Sequence, residues 1–140
     1  MSRIFWDTNL FIYLLEDSGA LSKRVTELRE RMVSRRDQLY TSTLTLGEIL
    51  VKPRGASDEA GIQRFVEVLA GLAVLIPFDL KAAQNYASIR QDRSVKAPDA
   101  IQLACAASAQ TDLFITNDER LSRKTVKGVH FITSLENAYL

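Results

Sequence analysis

The chain has 140 residues, 46% of them hydrophobic and 25% charged, with a formal net charge of +1. That is the size of one domain with ordinary globular content, long enough to bury roughly two-thirds of its unfolded surface without disulfides or a structural metal. The balance of charge excludes a general basic surface for nucleic acid, so any such site has to be local.

The longest uninterrupted apolar run, residues 10–15, is far too short for a membrane span, and Asp7 interrupts the apolar start, so neither a span nor a signal peptide is expected. The lone cysteine, Cys105, reads as a small buried core residue. It can form no intrachain disulfide, which fits a reducing, cytoplasmic location.

Short apolar runs alternate with longer amphipathic ones. Ile4-Phe5-Trp6 predicts a first strand, and "LFIYLLE" (10–16) a mostly buried helix. Beyond a "DSGA" turn, Leu21, Val25, Leu28 and Met32 recur at helical spacing through 21–36. "QLYTS" (38–42) predicts a second strand. "TLTLGEILVK" (43–52) predicts a helix with Thr43 or Thr45 near its cap, stopped by Pro53 and Gly55. The next helix takes Ser57 as its cap and sets Ile62, Phe65, Val66 and Leu69 on one side. "LAVLIPF" (72–78) predicts the third strand, after which Asp79 caps a helix over 80–90. Residues 97–110 are helical, with Pro98 suited to the first turn. "LFITN" (113–117) and "VHFIT" (129–133) are the fourth and fifth strands, and "SLENAY" closes as a short helix capped by Ser134. Strands separated by helices imply crossovers. The expected fold class is α/β, a mostly parallel five-stranded sheet with helices on both faces, in a single domain over 1–140.

In such sheets functional groups collect beyond the carboxyl ends of the strands. Asp7 follows the first strand and Asp118 the fourth. Asp99 lies in the first turn of a helix, and Glu48 in a helix among Leu44, Leu46, Ile49, Leu50 and Val51. Each has a plain structural reading. Asp7 can cap the next helix, Asp99 can complement a helix macrodipole, Asp118 can cap a turn, and Glu48 can lie on a solvated stripe beside Lys52. Together, four carboxylates on one edge of one sheet repel one another strongly, and their immediate neighbours offer few cationic partners. Hard oxygen ligands with no His or Cys nearby point to Mg2+ or Mn2+.

The order of "DTN" at Asp7, "LGEIL" at Glu48, "PDAIQLACA" at Asp99 and "FITND" at Asp118 resembles the PIN-domain ribonucleases, and within them the VapC-type toxins of toxin–antitoxin pairs. The resemblance runs from Asp7 to the last strand; "PDAIQLA" and "FITND", at their short separation, are its most specific parts. It implies a PIN-like fold and a metal-dependent endoribonuclease acting on single strands or exposed loops. By that resemblance Asp7, Glu48, Asp99 and Asp118 would bind Mg2+ or Mn2+. Asp7 and Asp99 would hold the main ion, Asp118 would hold it directly or through water, and Glu48 would take a second ion or orient the attacking water. Thr116 matches a hydroxyl that supports the site, and Asn9 a supporting position. The resemblance also implies a small antitoxin whose tail covers the acidic pocket, and a homodimer. "LFIYLLE" offers material for either an interface or the core.

Two basic segments flank the acidic positions. Arg90, Arg93 and Lys96 precede Asp99; Arg120, Arg123, Lys124 and Lys127 follow Asp118. They read either as a solvated surface or as RNA phosphate contacts, which give affinity without sequence choice. The helix over 21–36 is basic too, an exposed face or a binding surface. The single histidine, His130, falls in the predicted last strand, so the chemistry should not depend on imidazole. The competing reading is a PIN-like module that binds RNA or protein without cutting; the presence of all four acidic positions speaks against it. A receiver domain would want a paired acidic cluster at the first strand and a late lysine. A haloacid-dehalogenase-type phosphatase would want an aspartate where Asn9 stands.

Overall fold

The computed structural model describes residues 1–140. Five strands, β1 (Arg3–Trp6), β2 (Gln38–Ser42), β3 (Val74–Ile76), β4 (Leu113–Thr116) and β5 (Phe131–Ser134), pair in the order β3-β2-β1-β4-β5. Every pairing is parallel. Parallel neighbours cannot be joined by tight turns, so helices carry the crossovers. α1 (Thr8–Leu15) and α2 (Ala20–Arg35) join β1 to β2, α3 (Thr43–Gly55) and α4 (Glu59–Leu72) join β2 to β3, and α5 (Leu80–Ile89) and α6 (Ala97–Ser108) join β3 to β4. A single 3-10 turn interrupts the β4–β5 connection at 121–123.

Both faces of the sheet are covered, and β1 shows it by its period of two. Ile4 and Trp6 enter one core with Leu10, Phe11, Val25, Met32 and Leu69; Phe5 enters the other with Leu103, Ala104, Cys105 and Phe114. Phe5 and Phe114 lie opposite each other in register and stack with centroids 5.1 Å apart. Cys105 is buried and unpaired as expected, and burial pushes its thiol up to about 11. α1 contributes Leu10 and Phe11 to the core, while Ile12 and Leu15 line a groove against α3 and α4. No helix is long and apolar enough to cross a membrane.

The strand order decides where a ligand can sit. The chain steps outward from β1 through β2 to β3, then returns to lay β4 and β5 on the other side of β1. Crossovers on the two sides of β1 diverge, leaving a crevice outside the carboxyl ends of β1 and β4. Asp7 and Asp118 follow those two strands.

The local corrections have identifiable causes. α3 is capped by Ser42, not by Thr43 or Thr45, and it runs through Pro53 to Gly55. The proline ring is buried, and the Ala56 N–H donates to Lys52 O at 3.2 Å beyond it, so the helix survives one lost bond. Ser57 has a left-handed backbone (φ 51°) unsuited to a cap, and Asp58 caps α4 by accepting from Gly61 N at 2.9 Å. β3 is shorter than its apolar run because α4 continues to Leu72. "SLENAY" forms a turn, not a helix. The guanidinium of Arg24 donates to the carbonyls of Leu135, Glu136 and Ala138 and ties the segment down in that turn.

Candidate active site

Asp7 stands where β1 gives way to α1. Its N–H donates to Ile115 O at 3.0 Å, continuing the ladder to β4 and fixing the residue at the crevice. One carboxylate oxygen caps α1 by accepting from Thr8 N at 2.9 Å; the other accepts from Thr116 Oγ1 at 3.0 Å. Helix capping and site placement are therefore one arrangement. The Thr116 oxygen also accepts from Asp118 N at 3.1 Å, which ties the two acidic residues through one buried hydroxyl. Asp118 spends Oδ1 on a turn, accepting from Arg120 N (2.9 Å) and Leu121 N (3.2 Å), and keeps Oδ2 outside that turn.

Asp99 lies in the first turn of α6, whose N-cap Lys96 supplies no side-chain cap. Glu48 does occupy the solvated stripe of α3. It is not paired with Lys52, which reaches Glu16 instead at 3.9 Å. Glu48 Oε1 accepts from Thr8 Oγ1 at 2.6 Å, so its carboxylate is drawn back toward α1.

The charges are poorly compensated. Burial pushes Asp7 up to about 6 against the opposing pull of the Thr8 and Thr116 hydrogen bonds, with the negative charges of Asp99 and Glu48 adding to the rise. Asp99 is raised by burial and by Asp118, then by Glu48; Lys96 and Arg120 pull the other way. Asp7 thus senses Asp99 and Glu48, and Asp99 senses Glu48 and Asp118. No three of them, nor any other three His, Cys, Asp or Glu side chains, converge as ligands around one point.

Beneath the acidic side chains runs a polar network that the sequence reading missed. Gln102 of α6 is 2% exposed. Its amide donates to Thr8 Oγ1 at 2.9 Å and to Thr45 Oγ1 at 2.8 Å, and its carbonyl accepts from Ser42 Oγ. Thr41 Oγ1 joins Thr45 Oγ1 at 2.8 Å and Trp6 O at 2.9 Å. A signal was present: Gln102 lies three residues after Asp99 and Thr45 three before Glu48, sharing a helix face with each.

Asp7, Asn9, Glu48 and Asp99 line a cavity of about 220 Å³, with Asn9 exposed at its mouth. A neighbouring cavity of about 300 Å³ shares Asp99 and holds Asp118, Lys96, Arg120, Arg123 and Lys124. Lys124 is partly spent on Asp92 at 2.9 Å. Arg90 and Arg93 line neither cavity. Arg90 lies 5.8 Å from the Tyr86 ring centroid and donates to its hydroxyl at 3.1 Å. His130 is exposed at the opposite edge of the sheet, 3.9 Å from Asp112.

This arrangement has counterparts. Residues 4–127 match the model of the PIN domain family. Among solved structures, the chain resembles VapBC2 from Rickettsia felis bound to a promoter DNA fragment, with TM-score 0.73 at 13% identity over 94% of this chain and 97% of that one. It also resembles a toxin–antitoxin complex from Klebsiella pneumoniae, with TM-score 0.66 at 25% identity over 91% and 95%. A third is VapBC-5, of the VapBC family of toxin–antitoxin systems, from Mycobacterium tuberculosis, with TM-score 0.61 at 20% identity over 95% and 99%. No curated protein matches the chain significantly in sequence. A family match over most of the length, on a five-stranded parallel sheet shared with those structures, leads to one conclusion: the chain belongs to the PIN domain family.

Proposed function

We propose that this protein is a metal-dependent endoribonuclease, the cytoplasmic toxin of a toxin–antitoxin pair. The observation that carries the reading is that Asp7, Glu48 and Asp99 line one cavity at the crevice between β1 and β4, and that Asp118 lines the adjoining cavity with Asp99. The donors suit Mg2+ or Mn2+: all are hard oxygens, and Asp118 Oδ2 is not drawn into its turn. When bound, such an ion supplies an acidified water and neutralises charge on the phosphodiester. Asp7 and Asp99 would hold it, Asp118 directly or through water, and Glu48 would take a second ion or aim the attacking water. Thr116 holds Asp7 in orientation, Thr8 holds Glu48, and Asn9 faces the substrate side. Lys96, Arg120 and Arg123 draw RNA phosphates to an otherwise repulsive pocket.

An antitoxin fits the same surface. The groove between α1, α3 and α4, about 570 Å³ and lined by Ile12, Leu15, Ile49 and Phe65, shares Ile12 and Glu48 with the acidic cavity. An apolar antitoxin segment lying there would deliver its next residues, with a basic side chain, onto the carboxylates. A homodimer belongs to the same proposal.

The test is cleavage of single-stranded RNA by purified protein with Mg2+ or Mn2+, and its loss with chelator, Asp7→Asn or Asp99→Asn. If both variants cut as fast as the parent, the site assignment is wrong. If no RNA is cut under any metal condition, the PIN-like module that binds without cutting replaces this reading.

A further inference from the structure

Beyond the carboxylates the surface continues as a cleft that the chemistry leaves unused. The cavity holding Asp118 and Arg120 shares Val95 and Lys124 with a larger one of about 530 Å³, between α5, α6 and the β4–β5 connection. That second cavity presents Lys81 from α5 and Lys127 from the connection, both exposed and neither in an ion pair. Its single acidic lining residue, Asp92, is already held by Lys124 at 2.9 Å. Polar side chains, Asn85 and Gln110 among them, line it as well.

We propose that this cleft is the track along which single-stranded RNA leaves the acidic pocket, with Lys81 and Lys127 forming a remote phosphate subsite. This rests on the nuclease reading and deepens it. Cations spaced along a polar cleft match a ligand that carries one negative charge per nucleotide. An acidic protein segment would also want apolar anchors, and the cleft's four hydrophobic lining residues are small or only partly exposed. The other basic surface is partly spent, with Lys23 and Arg29 in no ion pair. On α2, Arg24 and Arg31 hold backbone oxygens of residues 135–140 and Arg35 pairs with Asp37 at 2.9 Å. α2 also packs on the opposite face of the sheet from α5 and α6.

The experiment measures binding of fluorescein-labelled oligouridylates in chelator, one of about twelve nucleotides and one of about three, across a salt series. Lys81→Gln/Lys127→Gln is compared with the parent and with Lys23→Gln/Arg29→Gln on α2. The expected result is a loss of about three- to tenfold for the long oligomer and a salt slope shallower by about 1.4, from two contacts at about 0.7 each. The short oligomer and the α2 variant should bind like the parent. With metal, KM for the long oligomer should rise while kcat stays. Unchanged long-oligomer binding, or equal weakening by the α2 pair, would overturn the track. So would binding of polyglutamate without binding of RNA. Cutting that ignores both lysines removes the track and leaves the nuclease; lysine-dependent binding with no cutting in any divalent metal removes the nuclease and leaves the track.

Discussion

The side-chain amide of Gln102 donates to the Thr8 hydroxyl at 2.9 Å, and that hydroxyl lies 2.6 Å from Glu48. The direction of donation is forced. A hydroxyl has one hydrogen, an ionised carboxylate can only accept, and the two amide hydrogens of Gln102 are taken by Thr8 and Thr45. One amide thus pins α1, α3 and α6 to one another below the acidic side chains. Gln102→Leu takes a partner from each of three buried hydroxyls and removes the acceptor of the Ser42 hydroxyl. It should cost about 1–3 kcal/mol in urea denaturation, and it should weaken Mn2+ binding in calorimetry more than Thr8→Ser does. Thr8→Val should release Glu48 with less loss of stability. A Gln102→Leu protein as stable as the parent would show that the network is idle.

Much of this was legible beforehand, for a physical reason. Most strands carry a short apolar run bounded by polar residues, and a carboxylate soon after such a run, as at Asp7 and Asp118, has few places to go in a parallel sheet. What escaped was whatever depends on which helix faces meet. Nothing near Gln102 in the chain names Thr8, 94 residues away. Arg24 likewise ties down the turn that stands in place of the expected closing helix from more than 110 residues away. The cap of α3 was expected at Thr43 or Thr45, but Ser42 qualifies chemically too, and its extended backbone decides it.

Two glycines should respond oppositely to alanine. Gly128 has φ 97°, and an added Cβ would come within 3.0 Å of the Ala107 carbonyl oxygen and side chain. Gly128→Ala should destabilise by about 1–3 kcal/mol. Gly47 lies inside α3 with open space around it, so Gly47→Ala should stabilise by up to about 1 kcal/mol. Thermal melts of both variants check this; a Gly128→Ala melting point equal to the parent's would contradict the close packing of the β4–β5 connection on α6.

Asp7 supplies the pH dependence. Its folded pKa, about 6, lies above the ordinary 3.8. Below about pH 3 it is protonated in both states and has no effect. As pH rises further, the unfolded chain ionises first, the native state binds more protons, and stability falls until about pH 6, beyond which the penalty is constant. At 1.36 kcal/mol per pH unit of the gap, that penalty is about 3 kcal/mol. Asp7→Asn removes it but replaces one accepting oxygen by a donor, which takes back about 1 kcal/mol. The variant should therefore be more stable than the parent near neutral pH, with the advantage shrinking to nothing or reversing near pH 4. Mn2+ acts in the opposite sense on the parent, because binding must displace the Asp7 proton. The rise in melting temperature on adding Mn2+ should be large near neutral pH, small at about pH 5, and absent from Asp7→Asn at both. Equal Mn2+ stabilisation of parent and variant, or a rise that ignores pH, would mean that Asp7 does not hold the ion.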